Sequence, residues 1–147
     1  MKLKSTSGQS LIEVLTALAV VLLVIVALIR ATTISMRSSG FSKAQAQATA
    51  YAQEAIEWIR AERDKDWNGI SSRAGLTFCL NSESLSWSAE GVCPADDYLL
   101  GGRFKREATL TNIGGTGNQI EVEVIVSWQE AGGEHHSQVN TYLTNWR

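Results

Sequence analysis

The chain has 147 residues and a mass of 16.0 kDa, the length of one ordinary domain. Lys and Arg number 13 against 15 Asp and Glu, a net charge of −2, which argues against the basic excess of a general nucleic-acid binder. The mean hydropathy of −0.06 suits a globular protein, but the apolar residues are unevenly placed. Residues 14–29 read VLTALAVVLLVIVALI, with Thr16 the only polar member, which argues against both a disordered chain and an ordinary single-core cytosolic domain.

The N-terminus, MKLKSTSG, is short and polar, with Lys2 and Lys4 its only charges. The apolar run that follows lies at the lower edge of the roughly 20 residues that span a bilayer as a helix. It is longer than the roughly 7 to 15 residues of a secretory signal core. The two lysines favour a cytoplasmic N-terminus, and Arg30 at the far end can snorkel to the interface. Glu13 stands inside the apolar stretch, between Ile12 and Val14. A carboxylate at such a depth is costly, and its presence is a sign of function, the alternative being a solvated place at the headgroup boundary.

Gly8-Gln9-Ser10-Leu11-Ile12-Glu13, followed by an apolar helix, resembles the prepilin signature of type IV pilins and type II secretion pseudopilins. The resemblance covers roughly residues 1–30 and departs from the family at Gln9, where an aromatic residue or Met is more usual. It implies a leader of residues 1–8, cut by a prepilin peptidase between Gly8 and Gln9 at the cytoplasmic face, and N-methylation of Gln9. Gly8 suits a scissile position, because without a side chain it lets a protease approach the backbone. The resemblance also gives Glu13 an assembly role, attracting the N-terminal amine of a neighbouring subunit and setting register. In low dielectric that pairing is strongly favoured over leaving either charge alone. Its implied partners are the peptidase, other pilin subunits, the inner or cytoplasmic membrane and an assembly platform protein. Its implied location is a single-pass membrane protein first, then an extracellular or periplasmic filament. The QSLIE start and the helix at 53–57 look more like a minor pilin or pseudopilin than an abundant major pilin.

Residues 9–64 are expected to form one hydrophobic and then amphipathic stalk helix, about 80 Å long at 1.5 Å per residue. Ala48, Ala52, Ala55 and Ile59 share one face, widened by Ile56, while Gln53, Glu54, Glu57, Arg60 and Asp64 fall largely opposite. The spacing predicts an Arg60–Asp64 pair. Gly40 predicts a bend or local melting, since glycine costs about 1 kcal/mol relative to Ala in a helix. Two separate helices are the alternative.

Residues 65–147 are expected to be the head. Trp67-Asn68-Gly69 predicts a turn, Gly75, Gly91, Pro94, Gly101 and Gly102 punctuate an irregular stretch to 103, and residues 76–80 read as a short strand. Cys79 and Cys93 are the only cysteines. A head anchored outside the cytoplasm meets an oxidising environment, so a disulfide between them is expected, with free thiols as the alternative. Zinc is not expected, because two cysteines without matching histidines make a poor site.

The last third carries the clearest strands. Phe104, Arg106, Ala108, Leu110 and Asn112 share one parity, and a turn is predicted at 114–118. Ile120, Val122, Val124, Val126 and Trp128 then alternate with Glu121, Glu123 and Ser127, with Ile125 the one apolar residue on the outer parity. A third strand is predicted over 138–146, with Val139, Thr141 and Leu143 against Tyr142. The expected fold is α+β: a long N-terminal transmembrane and stalk helix packed on a C-terminal antiparallel β-meander of three to four strands, a pilin-like arrangement.

No enzyme signature emerges. Gly114-Gly115-Thr116-Gly117 lacks a P-loop lysine and following helix, and no serine sits in a glycine-flanked elbow. His135-His136 reads as a solvated pair in a turn, and Glu121 and Glu123 as the wet side of a strand. Of the five tryptophans, Trp58 and Trp128 are assigned to the core and Trp67, Trp87 and Trp146 to its edges, although exposed ones could serve subunit contacts. No cofactor, metal site or direct nucleic-acid binding is expected. Loss of the leader leaves 11 basic residues against 15 acidic, a net −4. The reading is a structural subunit, of the minor kind, of a type IV pilus-like filament. The alternatives are a pseudopilin of a type II secretion or DNA-uptake system, and an anchored binding domain that never polymerises.

Overall fold

The computed structural model describes residues 7–87, 89–98, 100–115, 118–130 and 132–146, with side chains from residue 11 onward. They fall into two units divided between Gly40 and Phe41. Helix α1 (Ser7–Lys65) carries no proline, is rich in Ala and Leu, and ends with Arg63 and Lys65 beside its negative dipole end. The backbone is helical through Gly40, so the melting expected there does not occur. One glycine costs about 1 kcal/mol, too little by itself to interrupt a long helix.

Asp66 leaves the helical region, with φ −152° and ψ 101°, and its side chain accepts a hydrogen bond from Asn68 N–H at 3.0 Å. It therefore caps a short helix, α2 (Trp67–Ser71), where the sequence had suggested a turn. The aspartate before Trp67 was the signal, and burial of Ile70 holds the element in place.

The described residues continue as four strands: β1 (Thr77–Cys79), β2 (Phe104–Asn112), β3 (Gln119–Glu130) and β4 (Gly133–Thr144). They form an antiparallel meander in the order β1-β2-β3-β4. The turn at 114–118 includes residues 116 and 117, which lie outside the described residues. Between β1 and β2, Phe104 N–H bonds to Leu100 O at 3.0 Å, and the tight turn places Gly101 at φ 56°. A Cβ there would also meet the Tyr51 hydroxyl at 3.2 Å.

The second unit has the expected two layers. Ala44, Ala48, Ala52, Ala55, Ile56 and Ile59 of α1 join one core with Phe104, Ala108 and Leu110 of β2 and the even-numbered apolar residues of β3. The period-2 reading of β2 and β3 therefore holds, except that Asn112 at the end of β2 is exposed and Ile125 is half-buried. Trp128 is fully buried, and Trp58, Trp67 and Trp87 pack half-buried around the core. Two bonds tie α1 to β4: Thr49 Oγ1 to Ser137 Oγ at 2.9 Å, and Arg60 Nη2 to Thr141 Oγ1 at 3.0 Å.

β4 begins at Gly133, five residues before the predicted start. Its parity puts Ser137, Val139, Thr141 and Leu143 toward the helix layer, so burial is intermittent and the apolar signal weak. The predicted Arg60–Asp64 pair is not formed. Arg60 bonds Glu57 at 2.6 Å, reaching one turn back while its other nitrogen holds Thr141, and Asp64 pairs with Arg63 at 2.8 Å.

Candidate functional site

Two regions carry the sequence-predicted site residues: the apolar start of α1 and the disulfide-bearing side of the head.

In the first unit, every described apolar residue from Leu11 to Met36 that is large is exposed, from 46% at Ile25 to 76% at Met36. Among the described residues one helix is long and apolar enough to cross a membrane; it lies near the N-terminus, and none of its most apolar window is buried. The threonine hydroxyls in this stretch are satisfied within the helix. Thr16 donates to Glu13 O at 2.9 Å, and Thr32 and Thr33 both donate to Ile29 O at 2.9 Å. Glu13 is exposed in the midst of the apolar surface, and among the described residues no cationic side chain pairs with it. Gly8 and Gln9 fall in the first turn of α1, while the rest of the predicted leader up to residue 6 lies outside the described residues.

Such a surface has two physical fates, lipid or other apolar helices, because leaving it in water forfeits about 25 cal/mol for each Å². Glu13 adds a cost of about 3 kcal/mol if carried to mid-bilayer unpartnered, so a cation from another molecule would stabilise it there.

On the head, Cys79 and Cys93 form the expected disulfide, joining the end of β1 to the loop before β2 across a separation of 14 residues. Glu107 on β2 holds the same loop by accepting Cys93 N–H at 2.7 Å.

Next to it lies a residue whose role the sequence did not disclose. Arg106 sits on the core parity of β2 and is fully buried. Its guanidinium donates to Leu80 O at 3.1 Å, Tyr51 O at 2.9 Å, Ser82 O at 3.3 Å and Glu54 Oε2 at 2.8 Å. One side chain thus links α1, β2 and the start of the disulfide loop. A buried arginine is tolerable because its fork of five donors finds several acceptors at once. A charged residue at an apolar strand position was the only available signal.

The outer face of the sheet carries a second polar cluster. Lys105 Nζ meets Glu134 Oε1 at 3.1 Å and lies over the Tyr98 ring, while the Tyr98 hydroxyl donates to Glu134 at 3.2 Å. Lys105 loses hydration by burial, but its bond to Glu134 and the negative charges of Glu134, Tyr98 and Glu107 together outweigh this and raise its pKa; the bond to Lys105 holds Glu134 below the usual carboxylate range. At the end of α1, Lys65 likewise lowers the pKa of Glu62.

His135 and His136 lie in β4, not in a turn. As neighbours on a strand they point to opposite faces and cannot chelate one ion together. His135 packs its ring at 5.2 Å from Phe41 and 5.7 Å from Trp128, whereas His136 is exposed. Two hollows flank the end of α1. One, of about 140 Å³, is lined by Glu62, Lys65, Asp66, Arg73 and Trp87 among others. The other, of about 40 Å³, lies between Arg63, Trp67 and Trp146.

Compared with known protein families, curated proteins and solved structures, the chain matches none.

Proposed function

We propose that this chain is a structural subunit, of the minor kind, of a type IV pilus-like filament. A prepilin peptidase cuts between Gly8 and Gln9, and the apolar part of α1 holds the precursor in the cytoplasmic membrane and then packs among the helices of other subunits. The observation that carries this reading is the run Gly8-Gln9-Ser10-Leu11-Ile12-Glu13 placed directly before a wholly exposed apolar helical surface. Glu13 fits it, because an unpaired carboxylate on such a surface calls for a positive charge from another molecule, and the new N-terminal amine of a neighbour supplies one. The antiparallel head packed on the second part of α1 and its disulfide suit a domain displayed outside the cytoplasm.

Co-expression with a prepilin peptidase tests the reading. The wild type is expected to start at Gln9 by N-terminal sequencing, and Gly8→Val to retain Met1. Glu13→Ala is expected to be cut normally but to be depleted from filaments. Equal processing of wild type and Gly8→Val, or a wild-type chain that keeps Met1, would overturn it and favour a membrane-anchored domain that does not polymerise.

A further inference from the structure

The meander leaves β4 as a terminal strand, and its free side can be assigned residue by residue. Asn145 N–H bonds to Asn118 O at 3.0 Å, and the β3–β4 register runs unbroken from Gln119↔Thr144 to Glu130↔Gly133. In an antiparallel pair the hydrogen-bonded residues alternate, so the odd-numbered residues of β4 spend their backbone groups on β3. Glu134, His136, Gln138, Asn140, Tyr142 and Thr144 turn their N–H and C=O groups outward. Among the described residues no backbone hydrogen bond from another segment reaches them.

Exposed edges of this length are normally blunted by lysine, proline or a bulge. β4 has none of these: it contains no Pro, Lys or Arg, and its register shows no inserted residue. On the inner side Val139 and Thr141 are only half-buried, leaving an apolar step beside the free edge. The outer side is acidic. On it β3 and β4 hold Glu121, Glu123 and Glu134 and neither Lys nor Arg. Lys105 pairs with Glu134, but among the described residues Glu121 and Glu123 bond to the neutral amides of Asn140 and Gln138 and no cationic side chain pairs with them.

We propose that the free edge of β4 accepts an extended segment of another protein as a fifth strand, with Lys or Arg at alternate positions on the side facing Glu121 and Glu123. Two strand spacings, about 10 Å, separate such a residue from β3, a span that extended lysine and glutamate side chains bridge together. Main-chain bonds to residues 136–144 supply affinity, and the alternate basic residues supply selectivity. A second copy of this chain is a poor occupant, because its own β3–β4 half would bring the same unneutralised acids. The inference rests on the head alone and is independent of the filament reading.

The test uses the full-length protein in a neutral maltoside detergent, with a ten-residue capped peptide alternating Lys and Val and a control alternating Glu and Val. The Lys–Val peptide is expected to bind saturably, at least tenfold more tightly than the control. It should slow amide exchange at His136, Gln138, Asn140 and Tyr142 at least tenfold. Asn140→Pro removes one outward N–H without touching the β3 ladder and should weaken binding at least tenfold. Should that variant not fold, the Glu121→Gln, Glu123→Gln pair serves instead, and is expected to lose the preference for the basic peptide. Absence of saturable binding, protection centred outside β4, or equal binding of both peptides would overturn the proposal. So would a concentration-dependent dimer that Asn140→Pro abolishes, since the occupant would then be a second copy.

Discussion

Replacing Arg106 by Met tests whether a buried guanidinium holds the head to its helix. Arg106 is fully buried and donates to three backbone carbonyls and to Glu54, whose own side chain is 53% exposed. Methionine has similar length and restores apolar contact, but it leaves Leu80 O without that donor. An unsatisfied buried carbonyl costs about 1 to 3 kcal/mol, and loss of the charge-assisted bond to Glu54 adds about 1 kcal/mol. The carbonyls of Tyr51 and Ser82 lose less, since the first also serves its helix and the second belongs to an exposed residue. We expect a destabilisation of about 3 kcal/mol, within the range seen when one partner leaves a buried charge network. For a unit of this size that lowers Tm by about 15 °C. Glu54→Gln should cost about 1 kcal/mol or less, because the guanidinium keeps its three carbonyl acceptors. The assay is thermal and urea unfolding of the full chain in detergent with the disulfide intact, followed by tryptophan fluorescence. A loss below about 1 kcal/mol for Arg106→Met would refute the reasoning. A cost for Glu54→Gln equal to that of Arg106→Met would also refute it, by assigning the stability to the ion pair instead of the carbonyl cage.

Cys79→Ser with Cys93→Ser should cost on the order of 3 kcal/mol, the chain entropy of a loop of about 15 residues, and dithiothreitol should lower the wild-type unfolding free energy by the same amount, read as a fall in the urea midpoint. An unchanged midpoint under reduction would refute this. The Lys105–Glu134 pair predicts a defined pH profile. Glu134 has a lowered pKa, so its contribution is present above the ordinary carboxylate value and lost as pH falls through the lowered one. Lys105 has a raised pKa, so its contribution is present below the ordinary lysine value and lost as pH rises through the raised one. Glu134→Gln should therefore be less stable by at most about 1 kcal/mol on the plateau, given the exposure of Glu134, and converge with wild type in strong acid. A gap that widens toward low pH would sink this assignment. Phe41→Ala should remove the ring contacts to Trp128 and His135 and alter Trp128 fluorescence; an unchanged emission spectrum would contradict the packing.

The sequence by itself determined the features that depend on neighbours along the chain. An uncharged apolar run, an alanine stripe at helical spacing and the alternation of Ile120 to Trp128 each read the same in isolation as in the fold, because helix and strand periods are local. The prepilin-like run from Gly8 to Glu13 is likewise a local pattern. The tertiary structure decided what depends on which elements meet. Arg106 shares the apolar parity of its strand in the sequence, and only the meeting of α1 and the disulfide loop brings carbonyls and Glu54 around it. Arg60 turned to Glu57 and Thr141 because β4 lay within its reach, and the strand that was hardest to read, β4, is one whose inner face is buried only intermittently. Its free edge, too, follows from sheet order, since being outermost is a property of the assembled sheet and not of the strand.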